Sequence, residues 1–343
     1  MTEKEILEAV RACARGEEPT HDIGEILRVH RCYPFISGKG KERLMERVVN
    51  VAALKERYRA CKPFFERAAF PYAVIKGAVL SAVAYGDPGL RGSGDVDILI
   101  RRQDADAAKR LLQECGFIQG RVTDEGIVPF SRKEILYQTA ASHQTAPYVR
   151  KTESPLCPYV NVDVNMDILW GECEQRADME AVLACREPFR LFDVDFYKLA
   201  PEMEFVALCL HHYKDMNSLY LLSEGSLRLG LFCDIYCYIR QAKPSAARLV
   251  ELCAKLDVGR FVYVCLSHTM EIFDEPLLLP YLEAFAGMRD ERLLDSFGLN
   301  DGERHTWDLS LTERVLCSDL SAYIWSLLSE KEREKIRINR ENM

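Results

Sequence analysis

The chain has 343 residues, which is enough for one large domain or two moderate ones. Its hydrophobic fraction of 48% and charged fraction of 29% are ordinary for a soluble globular protein. No stretch approaches the roughly 18 to 20 uninterrupted apolar residues of a membrane helix, so no membrane contact is expected. The formal net charge of −8 disfavours long nucleic acid as a partner, because proteins that hold it usually offer a basic surface to the phosphates.

Two further features bear on the cellular compartment. The first residues, MTEKEILE, are charged and amphipathic and contain no apolar signal-peptide core. The thirteen cysteines are an odd number without a CxxC pair, and most lie among apolar residues. This usage favours buried, reduced thiols over disulfides or paired zinc ligands. We therefore expect a cytoplasmic protein.

Helical periodicity marks the first 70 residues. Apolar positions repeat at helical spacing from Glu5 to Cys13, and again from Glu42 to Ala69. The second segment contains one candidate apolar stripe, formed by Leu44, Val48, Val51, Leu54 and Tyr58. Both segments predict a helical packing layer.

The pattern changes after residue 70. Pro71 to Ile75 is a short β-prone run, and Lys76 to Tyr85 has the composition of a helix. Gly86 to Gly94 has the glycine and proline density of a loop. Asp95 to Ile100 alternates polar and apolar residues at first and predicts a strand.

The remaining chain returns from mixed to helical patterns. A helix is expected from about Asp104, a suitable N-cap, to Gly116. Residues 120–158 contain several prolines and predict loops and short strands, and residues 159–169 form the clearest strand pattern. Helical periodicity then persists from about Pro201 to the C-terminus.

These elements predict an α+β fold with three regions in chain order. Residues 1–70 are expected to be an N-terminal helical region, residues 71–200 a core that contains the strands, and residues 201–343 a C-terminal helical domain.

Two aspartates share one face of the predicted strand 95–100. Side chains alternate along a strand, so Asp95 and Asp97 lie on one side, about 6 to 7 Å apart at their backbones. Two such carboxylates repel each other unless they are neutralised, and Mg²⁺ with its preference for oxygen ligands is a suitable neutraliser. The pattern alone leaves a second interpretation open, in which Asp95 caps the loop and Asp97 faces solvent.

The strand at residues 159–169 strengthens the first interpretation. Its apolar residues occupy one face, and Asn161, Asp163, Asn165 and Asp167 occupy the other. If this strand lies beside the strand of Asp95, one of its aspartates becomes the third ligand of a metal site. The glycine-rich loop before Asp95 can bring backbone N–H groups close to phosphates.

With these residues, the chain resembles the nucleotidyltransferase superfamily typified by DNA polymerase beta. It is most similar to the bacterial branch described as uncharacterised nucleotidyltransferases. The matching residues are, in chain order, Lys76-Gly77, Tyr85, Asp87-Pro88, Arg91, Gly94-Asp95-Val96-Asp97-Ile98-Leu99, Val162-Asp163-Val164, His211-His212 and Asp234-Ile235. The resemblance covers roughly residues 70–240.

The resemblance implies a nucleotidyltransferase-type mixed β-sheet core, flanked by helical N-terminal and C-terminal regions. It implies that Asp95, Asp97 and Asp163 are catalytic residues that hold Mg²⁺, with two ions expected. It further implies a set of residues that approach the nucleoside triphosphate, namely Lys76, Gly77, Arg91, Ser93 and Gly94.

The reaction implied is attack of an acceptor oxygen on the α-phosphorus, with pyrophosphate as the leaving group. ATP is the favoured substrate, and the acceptor is expected to be a small molecule or a protein. A second class of function stays open, in which a catalytically weak protein of this fold serves as a regulator or an antitoxin-like binding partner. The sequence does not identify the acceptor, the base or the oligomeric state.

Three departures from the family pattern bear on catalysis. Gly77-Ala78 stands where the superfamily has Gly-Ser or Gly-Gly, so a phosphate-binding hydroxyl is missing. The 18 positions from Gly77 to Asp95 form a longer gap than in typical members. Asn165 occupies a position where this branch usually has histidine.

Other motifs carry less weight. Neither GxGxxG before a helix nor a GxxxxGK[ST] loop occurs, which argues against dinucleotide-binding and P-loop proteins. His211, His212 and Asp215 either ligate a metal from a helix or are packed and hydrogen-bonded side chains. Arg101 and Arg102 either neutralise phosphate or lie exposed after the strand.

Overall fold

A computed structural model of the chain describes residues 1–36, 41–171 and 173–342. Its contacts divide the chain into two units. One unit contains residues 1–36 and 205–341 and is called the helical unit below. The other contains residues 41–171 and 173–204 and is called the sheet unit.

The strands of the sheet unit follow the alternating and β-branched segments of the sequence. They are β1 (Tyr72–Ile75), β2 (Asp95–Ile100), β3 (Ile118–Thr123), β4 (Gly126–Pro129), β5 (Tyr148–Lys151), β6 (Tyr159–Asn165), β7 (Arg186–Leu191) and β8 (Val194–Leu199). A short pair in the helical unit adds β9 (Ser296–Phe297) and β10 (His305–Thr306).

The eight strands form one mixed sheet in the order β4-β3-β5-β6-β2-β1-β8-β7. Strand β2 pairs with β6 in parallel and with β1 antiparallel. The predicted α+β class and mixed sheet are therefore confirmed, and the strands that carry Asp95 and Asp163 are direct neighbours.

The helices alternate with the strands in the first half of the chain and dominate the second half. They are α1 (Glu3–Arg15), α2 (Gly24–Val29), α3 (Lys41–Arg67), α4 (Gly77–Tyr85), α5 (Ala105–Glu114), α6 (Arg132–Ala141), α7 (Met179–Ala184), α8 (Pro201–Asn217), α9 (Leu219–Ser223), α10 (Leu229–Ala242), α11 (Ala246–Leu256), α12 (Gly259–Phe273), α13 (Leu279–Ala284), α14 (Glu291–Leu294), α15 (Leu311–Leu316), α16 (Leu320–Leu327) and α17 (Glu330–Asn342). Among the described residues, no helix combines the length and apolar character that crossing a membrane requires.

The apolar core of the sheet unit packs against one face of the central strands and leaves the opposite face for polar groups. Val96 and Ile98 of β2 and Val162 of β6 are fully buried in one apolar cluster, which also contains Tyr58 and Phe64 of α3. Burial of this face contributes about 25 cal/mol for each Å² of apolar surface removed from water. Because side chains alternate along a strand, the aspartates of β2 and β6 lie on the opposite face.

The predicted stripe on α3 is wrong at its first two positions. Leu54 and Tyr58 are buried, but Leu44 is 56% and Val48 is 54% exposed. The first turns of α3 instead bury a polar side, including Arg43, whose guanidinium reaches the carbonyl oxygen of Leu90 at 3.5 Å. Contacts with the loop of residues 86–94, rather than an apolar stripe, therefore determine which side of these first turns is buried.

Two element ends also differ from the sequence prediction. Helix α5 begins at Ala105, but the Asp104 side chain makes no capping bond and instead accepts from Arg101 at 2.6 Å. A charged guanidinium outcompetes a backbone N–H for this carboxylate. Strand β6 ends at Asn165, before the predicted end at Leu169. The division into three regions follows chain order, whereas the two units follow contacts in space, so that division stays a prediction.

Candidate functional site

The three candidate carboxylates come from two adjacent parallel strands. The register places Asp97 of β2 opposite Asp163 of β6, and Asp95 opposite Asn161. Residues that are directly opposite in neighbouring strands share a face of the sheet. Asp95, Asp97 and Asp163 therefore project from the same side of the sheet at neighbouring positions.

Burial and mutual repulsion raise the pKa values of two of these carboxylates. For Asp163, removal from water is the main cause, followed by the negative charges of Asp97 and Asp95, and together they raise its pKa to about 7. The pKa of Asp95 is raised for the same reasons, desolvation first and the charge of Asp97 second. A cluster of carboxylates that resists ionisation is suited to binding a cation.

Lys76 supplies a positive charge within the cluster. Ile75, the last residue of β1, lies opposite Asp97, so the next residue follows beside that carboxylate. The Lys76 Nζ atom lies 3.2 Å from Asp97 Oδ1 and lowers the pKa values of Asp95 and Asp163. Its backbone has a φ of 58°, a conformation that residues with a Cβ rarely adopt. Such backbone conformations often occur at functional sites.

Gly77 begins α4 in a backbone conformation that favours glycine. Its φ is 46°, and a Cβ there would lie 2.9 Å from Ser93 Oγ. The Ser93 hydroxyl donates to the backbone carbonyl of Asp95 at 3.0 Å and lies 3.2 Å from its Oδ1. The start of α4 therefore lies directly against the loop before β2. The first turn of a helix presents N–H groups without intrahelical partners, which favours anions nearby.

Helix α3 holds the glycine-rich loop of residues 86–94 by polar contacts. The Arg57 guanidinium donates to the Ser93 carbonyl, and Asn50 Nδ2 donates to the Gly89 carbonyl at 3.3 Å. Arg57 is largely buried, so its charge is directed at the loop rather than at water. The periodicity of α3 did not indicate this role, because Arg57 occupies an ordinary polar position of a helical pattern.

Asn165 joins the cluster through a chain of amide hydrogen bonds. Its Nδ2 donates to Asp97 Oδ1 at 3.1 Å, and its Oδ1 accepts from Gln144 Nε2 at 2.7 Å. Asn165 is 1% exposed, so this orientation is fixed by packing as well as by bonding. The sequence placed Asn165 on the polar face of its strand and marked it as a departure from the family pattern, but it did not indicate Gln144, which lies in a segment without a periodic pattern.

Asp167 lies outside this cluster. It follows the end of β6, and its Oδ1 accepts from the backbone N–H of Leu169 at 2.9 Å and from that of Ala177 at 3.4 Å. These bonds give Asp167 a role in shaping the loop after the strand. Of the two aspartates that the sequence offered on this strand, Asp163 is the one beside Asp97.

The candidate arginines divide into different environments. The backbone N–H of Arg91 donates to Ser81 Oγ at 3.3 Å, which fixes the loop at that residue. The Arg101 guanidinium is bonded to Asp104, and Arg102 is exposed. Of these three, Arg91 is the one that lies in the loop preceding the aspartates. Its contact with phosphate stays a prediction.

In this conformation the aspartates do not form the tightest group of potential metal ligands. Among the described residues, the group whose donor atoms all lie within 4.8 Å of one another consists of His211, His212 and Asp215 in the helical unit. Asp95, Asp97 and Asp163 share a face of the sheet, but as a group of three they do not meet this spacing. In Asp97, the oxygen Oδ1 is engaged by Lys76 and by Asn165.

The family model of the uncharacterised nucleotidyltransferases matches residues 40–274 of the chain. The chain belongs to this family. The match includes the sheet unit from Lys41 to residue 204 and residues 205–274 of the helical unit, which end one residue after α12. The predicted resemblance is therefore confirmed.

Two other comparisons accompany this result. The nucleotidyltransferase-family chain is similar to a solved structure described as an antigenic nucleotidyltransferase-like protein from Paracoccidioides brasiliensis. The two are 14% identical with a TM-score of 0.36, and the match covers 70% of this chain and 93% of the other. No curated protein matches the chain.

Two departures from the nucleotidyltransferase pattern have a structural counterpart. Ala78 follows Gly77 at the start of α4 and is buried, so a hydroxyl is absent where the superfamily has one in Gly-Ser members. Asn165, at the position where the branch usually has histidine, donates to Asp97.

Proposed function

We propose that this chain is a Mg²⁺-dependent nucleotidyltransferase that transfers a nucleoside monophosphate from a nucleoside triphosphate to an acceptor, with release of pyrophosphate. The observation that carries the proposal is the parallel pairing of β2 and β6, which brings Asp95, Asp97 and Asp163 onto one face. Family membership supports a transferase, and the site residues and the reaction are our proposal.

The chemistry of the donor set fits Mg²⁺. Asp95, Asp97 and Asp163 offer oxygen atoms alone, and hard divalent ions prefer oxygen ligands. Burial first, and the neighbouring carboxylates second, raise the pKa values of Asp95 and Asp163, and the charge of Lys76 opposes this rise without cancelling it. When bound, Mg²⁺ supplies charge stabilisation at the transferring phosphoryl group.

The remaining residues bind and orient the triphosphate. Lys76, which now pairs with Asp97, has the reach and charge to contact phosphate oxygens. The N–H groups at the start of α4, beginning at Gly77, favour an anion. Arg91, Ser93 and Gly94 belong to the loop that precedes the aspartates, and Ser93 is already bonded to Asp95. We propose that these residues hold the α-phosphorus in line with the acceptor oxygen.

We infer that ATP is the favoured substrate and that the acceptor is a small molecule or a protein in the cytoplasm. The net charge of −8 makes a long nucleic acid an unfavourable acceptor. A matched screen of the four nucleoside triphosphates tests the reaction, with pyrophosphate release as the readout and with or without Mg²⁺. Release that requires Mg²⁺ and is lost in Asp97→Asn supports the proposal.

A second candidate is a catalytically weak nucleotide-binding protein with a regulatory or antitoxin-like role. The observation that favours it is the pairing of Lys76 with Asp97, together with the absence of a hydroxyl at Ala78. Such a protein binds nucleotide with Mg²⁺ but releases no pyrophosphate with any acceptor. Calorimetric binding without product therefore distinguishes the two candidates.

A further inference from the structure

A second group of metal-ligating side chains lies in the helical unit, on α8. We propose that His211, His212 and Asp215 form a binding site for a borderline divalent cation of the Zn²⁺ class. One donor atom from each of these residues lies within 4.8 Å of the other two. The site is independent of the aspartates of β2 and β6 in its residues and in the type of ion it selects.

The separation of two of the donors fits one ion. His211 and Asp215 are four positions apart on α8, so their side chains lie on the same side of the helix. His211 Nε2 lies 3.4 Å from Asp215 Oδ2. Two ligands at about 2.1 Å from Zn²⁺ and at a tetrahedral angle lie about 3.4 Å apart. A hydrogen bond of good geometry is shorter than this, with a usual N···O distance of about 2.9 Å.

The environment of His212 supplies an independent indication. Its side chain is 1% exposed, and its Nε2 lies 3.1 Å from Asp234 Oδ2 on α10. Because a carboxylate only accepts, this contact places the proton on Nε2 and leaves the lone pair on Nδ1. Nδ1 is buried and makes no hydrogen bond. A buried nitrogen without a partner costs stability, and a metal ligated there removes that cost.

Asp234 completes an arrangement that is common around metals. A histidine ligand usually donates its second ring N–H to a carboxylate, which fixes the tautomer and orients the ring. Asp234 is a positioning residue of this kind for His212, and it links α8 to α10 within the helical unit.

The ligand chemistry selects the ion. Two imidazoles and one carboxylate suit Zn²⁺, Co²⁺ and related ions better than Mg²⁺, which prefers oxygen. Lys214 Nζ lies 3.7 Å from Asp215 Oδ1, so it neighbours the oxygen that is not directed at His211. The side chains of His211 and Asp215 are 24% and 20% exposed, which gives an ion a route from solvent.

The test is a titration of the full chain with Co²⁺ and with Zn²⁺, in excess Mg²⁺ and with a phosphine reductant, which keeps the cysteines reduced without adding a thiolate ligand. We expect one equivalent to bind, with a visible Co²⁺ absorption spectrum that lacks the near-ultraviolet band of thiolate ligation. His211→Ala and Asp215→Asn are expected to weaken binding by at least about tenfold, as is Asp234→Asn through its effect on His212. The side chains of His211 and Asp215 are partly exposed, so their variants test the site even if a change at the buried His212 prevents folding.

Two matched controls make the result specific. His21→Ala removes an exposed histidine outside the group and is expected to leave Co²⁺ affinity unchanged. Asp163→Asn is expected to keep Co²⁺ binding while it affects the aspartate site, so failure of either proposal is distinguishable from failure of the other. The zinc-class site would be overturned by absence of binding, by a thiolate band, or by a Co²⁺ affinity of His211→Ala and Asp215→Asn equal to that of the wild type. Each of these results would leave an ordinary ion pair between His211 and Asp215.

Discussion

Asp97 has more hydrogen-bond donors around it than Asp95 or Asp163 has. We therefore expect its substitution to change stability differently from theirs. It accepts from Lys76 and from Asn165, whereas the pKa values of Asp95 and Asp163 are raised by burial and by neighbouring charge. Removing a negative charge therefore relieves repulsion at Asp95 and Asp163, but at Asp97 it removes the charge that pairs with Lys76.

The first prediction follows for the metal-free protein. Asp95→Asn and Asp163→Asn are expected to raise the melting temperature, and Asp97→Asn to lower it. A change of 1 kcal/mol corresponds to about 2 to 4 °C in a protein of 150 to 250 residues, the size range of the sheet unit. All three are expected to abolish the stabilisation by Mg²⁺ with nucleotide. Asp167→Asn is the matched control, because Asp167 bonds backbone N–H groups and is expected to keep the response. A Mg²⁺ response that is lost in Asp167→Asn and kept in Asp163→Asn would exclude the proposed ligand set.

The second prediction concerns pH. In the folded metal-free protein the pKa of Asp163 is raised to about 7, while an unfolded aspartate titrates near 3.8. Between these values the folded state binds more protons than the unfolded state, so the free energy of unfolding falls as pH rises through this window. The wild type is expected to lose stability relative to Asp163→Asn from about pH 4 to about pH 7, measured by thermal melting in chelator. A difference that stays constant with pH would contradict the raised pKa.

The third prediction concerns contact with the triphosphate. Lys76→Ala and Arg91→Ala are each expected to weaken nucleoside triphosphate binding by about ten- to a hundredfold, because a hydrogen bond to a charged group contributes about 1.5 to 3 kcal/mol. Calorimetry measures the affinity, and thermal melting measures any loss of stability. Lys133→Ala is the control, since Lys133 is an exposed lysine of the same unit. Unchanged affinity in both variants would remove these residues from the site.

At the residue scale, the sequence predicted the site residues that lie on strands, where side chains alternate between the two faces. It missed the site residues that lie in connecting segments. Alternation along β2 and β6 was sufficient to place Asp97 and Asp163 on polar faces. The choice between Asp163 and Asp167 depends on where β6 ends, which periodicity alone does not determine. Gln144 reaches the site from a connecting segment, and no local pattern distinguishes such a residue before the chain is folded.

At the scale of elements, the junction of β1 and α4 is the most constrained part of the site. Gly77 has a φ of 46° and faces Ser93 Oγ, whereas a Cβ at Gly94 would meet no atom within 4 Å. The fourth prediction compares these glycines. Gly77→Ala is expected to lower the free energy of unfolding by about 1 to 2 kcal/mol, because the left-handed conformation is unfavourable for alanine. Gly94→Ala is expected to leave stability unchanged in the same denaturant titration. Equal stability of the two variants would show that the junction tolerates a side chain.

The elements also show which signals in the sequence were strong. Strands β1 and β2 were predicted from β-prone composition and from alternation, and the helices after residue 201 from their periodicity. The hairpin of β7 and β8 was missed, because its turn at Phe192 and Asp193 has positive φ values without the glycine that usually marks such turns. Helix α6 was missed within a segment that was assigned to loops and short strands.

At the scale of the whole molecule, ligand binding should appear as a change in stability. The fifth prediction is that Mg²⁺ and a nucleoside triphosphate together raise the melting temperature more than either alone. At a ligand concentration of 100 times Kd the stabilisation is about 2.7 kcal/mol, since only the folded state binds. The Asp163→Asn variant serves as the reference. Equal shifts with nucleotide alone and with both ligands would argue against a metal-dependent site.

The parallel pairing of β2 with β6 also constrains how the protein is made. Asp97 and Asp163 are 66 positions apart, and β3, β4 and β5 are synthesised between them. At about 5 to 20 residues per second, the ribosome adds the third carboxylate about 3 to 13 seconds after the first two. During that interval the nascent chain has no β6 to cover the edge of β2, and an uncovered strand edge is prone to pairing with other chains. A chain truncated before Tyr159 would lack β6 altogether, so we expect premature termination in this segment to yield an aggregation-prone product.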